Sequence, residues 1–160
     1  MLDLLPDLCD QYPEQVRLLQ PVFKSYGNNI IFGGEVVTVK CFEDNSIVKQ
    51  LVSQPGLGRV IVVDGGGSLR KALLGDMLAQ AASDNGWAGL VINGAIRDAG
   101  TIATIALGVQ AINTSPMKTE KLGAGLLNVP LEIAGQVIKP GDYIYADLNG
   151  VLISDSALTL

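Results

Sequence analysis

Two short stretches hold the residue types from which a reaction could be built: Gly75-Asp76-Met77-Leu78 and Asn93-Gly94-Ala95-Ile96-Arg97-Asp98. A glycine at the start of a helix lets successive backbone N–H groups approach a small carboxylate, and the helix dipole favours the negative charge. An arginine can grip a carboxylate or a developing enolate, while the neighbouring aspartate offers a hard oxygen to Mg²⁺ or Mn²⁺. Each stretch also has a plainer reading. The first could be a helix start with an acidic residue in its first turn, and the second a surface ion pair followed by a helix cap. The interval from Asp76 to Arg97 spans one helix, one turn and one strand, so the two stretches can meet in space.

The remaining chemistry is narrowed by what the chain lacks. There is no histidine, which removes Ser-His-Asp and Cys-His nucleophilic mechanisms, histidine zinc sites and histidine general bases. Lys71, Lys118 and Lys121 stand among polar neighbours and read as solvated rather than as Schiff-base lysines, whose pKa must be lowered by burial. Cys9 and Cys41 have no adjacent base and read as packing residues. Val63-Asp64-Gly65-Gly66-Gly67 has the outline of a glycine turn that binds S-adenosylmethionine, but such a turn after a strand most often only shapes a pocket rim.

The elements that must position these residues are legible from pattern. Leu4 to Asp10 alternates apolar and acidic residues with Pro6 near a first turn, giving a short amphipathic helix. Phe32 to Lys40 reads as a strand, and Asp44-Asn45-Ser46 offers caps for a helix through Ile47, Leu51 and Val52. Arg59 to Asp64 is a buried strand. Ala72 to Ala82 reads as a helix, Trp87 to Ile92 as a strand, Asp98 as the cap of a small-residue helix through Ile105, and Val109 to Ile112 as a further strand. This alternation predicts parallel pairing with right-handed crossovers. Beyond Pro116, short strands and tight turns follow, with Asn149-Gly150 as a type I′ hairpin signal.

At 160 residues, 48% hydrophobic and 17% charged, the chain fits one domain, and its apolar surface suggests subunit interfaces. A net charge of −5 gives no electrostatic footprint for nucleic acid or an anionic membrane, while a basic protein partner would fit. Two distant thiols and no signal peptide or transmembrane run point to a reduced, cytoplasmic protein.

Taken together, Gly75-Asp76-Met77-Leu78 and Arg97-Asp98 after Asn93-Gly94-Ala95-Ile96 resemble the signature of the family that contains regulator of ribonuclease activity A and the metal-dependent 4-hydroxy-4-methyl-2-oxoglutarate aldolases. The resemblance extends over Phe32 to Val39 and Pro140 to Val151. It implies a single compact α/β domain over residues 1–160, of the swivelling phosphohistidine-domain type, with central parallel β-α-β units and a β-rich C-terminal part. It implies a trimer or hexamer with sites near subunit interfaces. By resemblance, the backbone of Gly75, Asp76, Met77 and Leu78 holds a pyruvyl carboxylate, Arg97 contacts the substrate oxygen, Asp98 binds a largely hydrated Mg²⁺ or Mn²⁺, and Asp76 orients one of the waters. The activity implied is a class II pyruvate aldolase, cleaving 4-hydroxy-4-methyl-2-oxoglutarate, or an oxaloacetate decarboxylase. The alternative within the family is a non-catalytic regulator that binds the protein scaffold of an endoribonuclease. Aldolase members often show a further acidic residue soon after the Arg-Asp pair, where this chain has Ala99-Gly100-Thr101.

Overall fold

The computed structural model describes residues 1–160. Its centre is built from chain segments too apolar to lie anywhere but between two cores. Strand β3 (Phe32–Lys40) pairs in parallel with β4 (Val60–Asp64), β4 with β6 (Gly89–Ile96), and β6 with β7 (Gly108–Thr114). Along β4 every second side chain enters the same core. Ile61 and Val63 join a cluster of 21 buried residues on the helical side, and Val60 and Val62 join one of 13 on the opposite face. A strand buried on both faces reads as a continuous apolar run, which is what Val60-Ile61-Val62-Val63 is.

Helices α2 (Ser46–Val52), α3 (Asp76–Asp84) and the single turn α4 (Ala99–Ile102) cover the first core. The second is closed by the hairpin β9 (Leu131–Ile133) and β10 (Gln136–Ile138). Antiparallel strands extend the sheet at both edges. On one side lie β11 (Tyr143–Asp147), β12 (Gly150–Ser154) and β1 (Arg17–Leu18), and on the other β2 (Lys24–Ser25). Short β5 (Ala72–Leu74) flanks β6, and β8 (Leu126–Leu127) flanks β3. The result is one mixed sheet of ten strands, α/β in its middle and mostly β at its C-terminal end.

The N-terminal helix α1 (Leu5–Gln11) forms as the sequence pattern predicts, and Asp147 ties it down by accepting from the backbone N–H groups of Leu4 and Leu5 at 2.8 and 2.9 Å. Three expectations are corrected. Ala72-Leu73-Leu74 is a strand rather than the first turn of a helix, because Gly75 interrupts the run with an extended φ of −125° and Ala72 and Leu74 pair with Ala95 and Ile96. The β6 strand runs on through Gly94-Ala95-Ile96, four residues beyond Ile92. The type I′ geometry belongs to Ala134-Gly135, with φ values of 47° and 81°, and not to Asn149-Gly150. There Asp147 pairs with Gly150, so the turn residues are Leu148 and Asn149, neither of which has positive φ.

Candidate active site at the end of the parallel strands

Both chemical stretches arrive at the carboxyl ends of the parallel strands, where open α/β sheets bind ligands. Arg97 and Asp98 follow directly on β6, and Gly75 and Asp76 open α3 directly after β5. These two strands are neighbours, and Arg97 N–H donates to the Leu74 carbonyl at 2.9 Å. The juxtaposition is therefore imposed by strand pairing rather than by flexible loops. Such placement gives a site more precision than loops would.

Asp98 does not cap the helix that follows it. It sits in the left-handed region at φ 57°, ψ 39° and makes no side-chain bond to α4. Its Oδ2 instead accepts from Asp76 N–H at 3.0 Å, across 22 residues, and so caps α3 from outside that helix. A non-glycine residue held in this region is strained, and strain of this kind concentrates at functional positions. Gly75 is required for the approach: a Cβ there would stand 2.9 Å from Asp98 Oδ2 and 3.3 Å from Arg97 Nε. Arg97 Nε lies 3.9 Å from the same oxygen, with both side chains more than a third exposed. The guanidinium is thus near its carboxylate neighbour yet free to take another.

The N–H groups of Met77 and Leu78 lie in the first turn of α3, where no intrahelical acceptor exists, and they make no other backbone bond. Met77 is 82% exposed. Gly75, Asp76, Met77, Leu78 and Arg97 line one cleft of about 170 Å³, with Asp98 directly behind Gly75. Gly75, Asp76, Met77, Leu78, Arg97 and Asp98 are therefore brought to one place.

The same cleft is walled by residues that sequence reading left out or assigned to open solvent. Lys49 comes from α2, and Lys118 and Lys121 from the segment after β7, with Asn45 and Thr119 between them. The lysines are exposed, as expected, but they surround a cavity that already contains Arg97. Four cations about one small cleft suit a ligand with more than one negative charge.

The oxygen donors available to a cation are Asp98 Oδ1 and the Asp76 carboxylate, none of which makes a hydrogen bond within the protein. No group of three or more histidine, cysteine, aspartate or glutamate side chains is assembled anywhere. Hard oxygens few in number fit Mg²⁺, which keeps several of its waters, and do not fit zinc.

The glycine turn at Gly65-Gly66-Gly67 serves the fold. Gly65 and Gly67 N–H both donate to the Asn93 carbonyl, at 3.0 and 3.1 Å, and Gly66 N–H donates to Asp64. None of these glycines lines a cavity. Cys41 is equally unavailable, its thiol pushed up to about 12 by burial and by the nearby carboxylates of Asp44 and Asp64.

A mixed α/β domain with a polar ligand cleft at the carboxyl ends of its parallel strands defines a class. The particular family follows from comparison with known proteins. Residues 5–153 match the model of the RraA-like family, described as Aldolase/RraA. A protein of Ectopseudomonas mendocina, provisionally named 4-hydroxy-4-methyl-2-oxoglutarate aldolase, is 58% identical over 98% of this chain and 97% of its own. Among solved structures, the RNA-processing inhibitor RraA from Thermus thermophilis superposes with a TM-score of 0.94 at 42% identity, over 99% of this chain and 96% of that one. A Geobacillus kaustophilus protein described as S-adenosylmethionine:2-dimethylmenaquinone methyltransferase gives 0.95 at 44% identity, over 98% and 97%. The chain belongs to the RraA-like family. No helix is long and apolar enough to cross a membrane.

Proposed function

We propose that the protein is a divalent-cation-dependent carbon–carbon lyase acting on small 2-oxo dicarboxylates and releasing pyruvate. The observation that carries this reading is the meeting of the α3 N-terminus, Arg97 and Asp98 at one point, with Asp76 N–H bonded to Asp98. The relatives named as 4-hydroxy-4-methyl-2-oxoglutarate aldolases support it.

In this reading the Met77 and Leu78 N–H groups hold the substrate's 1-carboxylate, aided by the helix dipole. Arg97 reaches the 2-oxo oxygen. Asp98 and Asp76 would hold Mg²⁺ or Mn²⁺, which would supply Lewis-acid stabilisation to the developing oxyanion. Retro-aldol cleavage of 4-hydroxy-4-methyl-2-oxoglutarate breaks the C3–C4 bond. Its electron pair passes into the enolate of one pyruvate, while C4 becomes the carbonyl of a second. The C4 hydroxyl proton leaves to a water oriented by Asp76, and the enolate is protonated at C3. Oxaloacetate loses CO₂ to the same enolate, so Arg97 and the first turn of α3 serve both reactions. Lys49, Lys118 and Lys121 are placed to meet the distal carboxylate. The apolar side chains left exposed near the cleft, Met77 at 82% and Leu122 at 77%, support assembly of copies into a trimer or hexamer.

The methyltransferase description of one relative finds less support. No cavity meets the glycine turn at Gly65-Gly66-Gly67 that such a cofactor would need. A second reading, inhibition of an endoribonuclease through its protein scaffold, is favoured by the Thermus relative and by a net charge of −5. Such a surface would attract a basic, disordered partner. Pyruvate release from both substrates, with Mg²⁺ and with EDTA, separates the readings: the lyase turns over and is chelator-sensitive, whereas a pure binding protein does not exceed the metal-catalysed background.

A further inference from the structure

The segment Pro116–Gly125 crosses the mouth of the cleft and carries Lys118 and Lys121, yet it contains no helix or strand and is exposed at every residue except Thr119. Its start is paired to β5, Ala72 N–H donating to the Met117 carbonyl at 2.7 Å and Lys118 bridging to Ala72. From Thr119 onward it is held by three consecutive polar residues at the entry to α2, of which Asp44 and Asn45 are 4% and 6% exposed.

Asp44 Oδ2 accepts from the backbone N–H groups of Leu122 and Ala124 at 2.8 and 3.2 Å. Between them, Gly123 N–H donates to Ser46 Oγ at 3.0 Å, and that hydroxyl donates to Asp44 Oδ1 at 2.6 Å. Three successive amides thus close around one carboxylate and its bonded hydroxyl. On the cleft side, Thr119 Oγ1 donates to Asn45 Oδ1 at 2.8 Å while Asn45 Nδ2 donates to the Leu73 carbonyl at 3.1 Å. This chain of bonds links the segment to β5, one residue before Leu74 and two before Gly75. The backbone at Lys118 is thus held by β5, and that at Lys121 lies between Thr119, bonded to Asn45, and the amides bonded to Asp44 and Ser46.

We infer that Asp44, Asn45 and Ser46 are positioning residues which hold Lys118 and Lys121 at the distance needed for the second carboxylate of a 2-oxo dicarboxylate, and so set selectivity for dicarboxylates over pyruvate-like monocarboxylates. This rests on the proposed binding of the first carboxylate at α3. Burying a carboxylate is costly unless its bonds are supplied. Here Ser46 supplies two, through its N–H and its hydroxyl, and the restrained segment supplies the other two.

Calorimetric binding of 2-oxoglutarate and of pyruvate in the presence of Mg²⁺ tests this without requiring turnover, because 2-oxoglutarate lacks the 4-hydroxyl needed for cleavage. In Ser46→Ala and Asp44→Asn, 2-oxoglutarate is expected to bind about tenfold more weakly than to the wild type, and pyruvate within twofold. Ser46→Thr, which keeps the hydroxyl, is expected to restore most of the difference. Lys118→Gln with Lys121→Gln gives the same loss with the Asp44 cluster intact, which covers the case of a variant that fails to fold. Equal weakening of both ligands in these variants, or unchanged binding of both, would overturn the inference. So would wild-type protein that binds 2-oxoglutarate no better than pyruvate. The lyase reading is decided separately by pyruvate release: turnover without dicarboxylate selectivity removes the inference alone, and selectivity without turnover removes the lyase alone.

Discussion

Asp98 carries two tasks with one carboxylate. Oδ2 closes the N-terminus of α3 while Oδ1 remains available to a cation, and the left-handed backbone at 57° points the group back toward Gly75 rather than along its own helix. Gly75 is the residue that permits this. Its φ of −125° is open to any amino acid, so Gly75→Ala is expected to fold, with a melting temperature close to that of the wild type. The added methyl would displace Arg97 and Asp98, and misplacement of about 1 Å at a reacting centre costs on the order of 10²-fold. A drop in kcat/KM of that order without unfolding checks the assignment, and full activity would contradict it. If Arg97 contacts the 2-oxo oxygen as proposed, Arg97→Ala is expected to cost about 3 kcal/mol of transition-state stabilisation, read as a fall in kcat/KM. Little of this geometry is legible in sequence. The residue types at Asp76, Arg97 and Asp98 announce the chemistry, but Asp98 next to a run of small residues looks like an ordinary cap, and only the pairing of β5 with β6 reveals which helix it caps.

At the scale of elements, the strands of the parallel core follow from pattern because both faces are buried and every residue must be apolar. Short runs are less decisive. Ala72-Leu73-Leu74 has helix-forming residues, yet it lies between Lys71 and Gly75 and is too short to nucleate a helix of its own, so pairing with β6 decides its state. The lysines of the Pro116–Gly125 segment read as solvated because sequence does not say what an irregular segment crosses. The anchor of that segment is testable by acid. Burial works to raise the Asp44 carboxyl, but hydrogen bonds from Ser46, Leu122 and Ala124 outweigh it and bring it down to about 2. Asp147 is lowered in the same way, burial being outweighed by the N–H groups of Leu5, Leu4 and Asn149. A carboxyl held below its unfolded value, about 3.9, contributes stability fully above that value and loses it as pH falls through the folded pKa. Unfolding midpoints in urea are therefore expected to fall between about pH 4 and pH 2, and to fall less steeply in Asp44→Asn, which cannot gain the proton. An Asp44→Asn profile parallel to that of the wild type would show that the carboxylate is not held as described.

Met77 lines the cleft and Leu122 directly follows Lys121 in the segment that borders it, and both are exposed. Membership of the RraA-like family is firm, and family members include proteins named for catalysis and proteins named for inhibition. Sedimentation is expected to give a mass that is a multiple of three times 16.8 kDa, and replacing Met77 and Leu122 together by Glu is expected to lower it; a monomeric wild type would refute the assembly. The central claim, that Asp98 and its neighbours form the site of a cation-dependent lyase, is tested most directly by pyruvate release from oxaloacetate and from 4-hydroxy-4-methyl-2-oxoglutarate, comparing the wild type and Asp98→Ala, each with Mg²⁺ and with EDTA. Wild-type turnover above the metal-catalysed background, abolished by EDTA and absent in a folded Asp98→Ala, is the predicted result. Turnover that survives both chelation and the substitution, or no turnover from folded wild-type protein on either substrate, would contradict it.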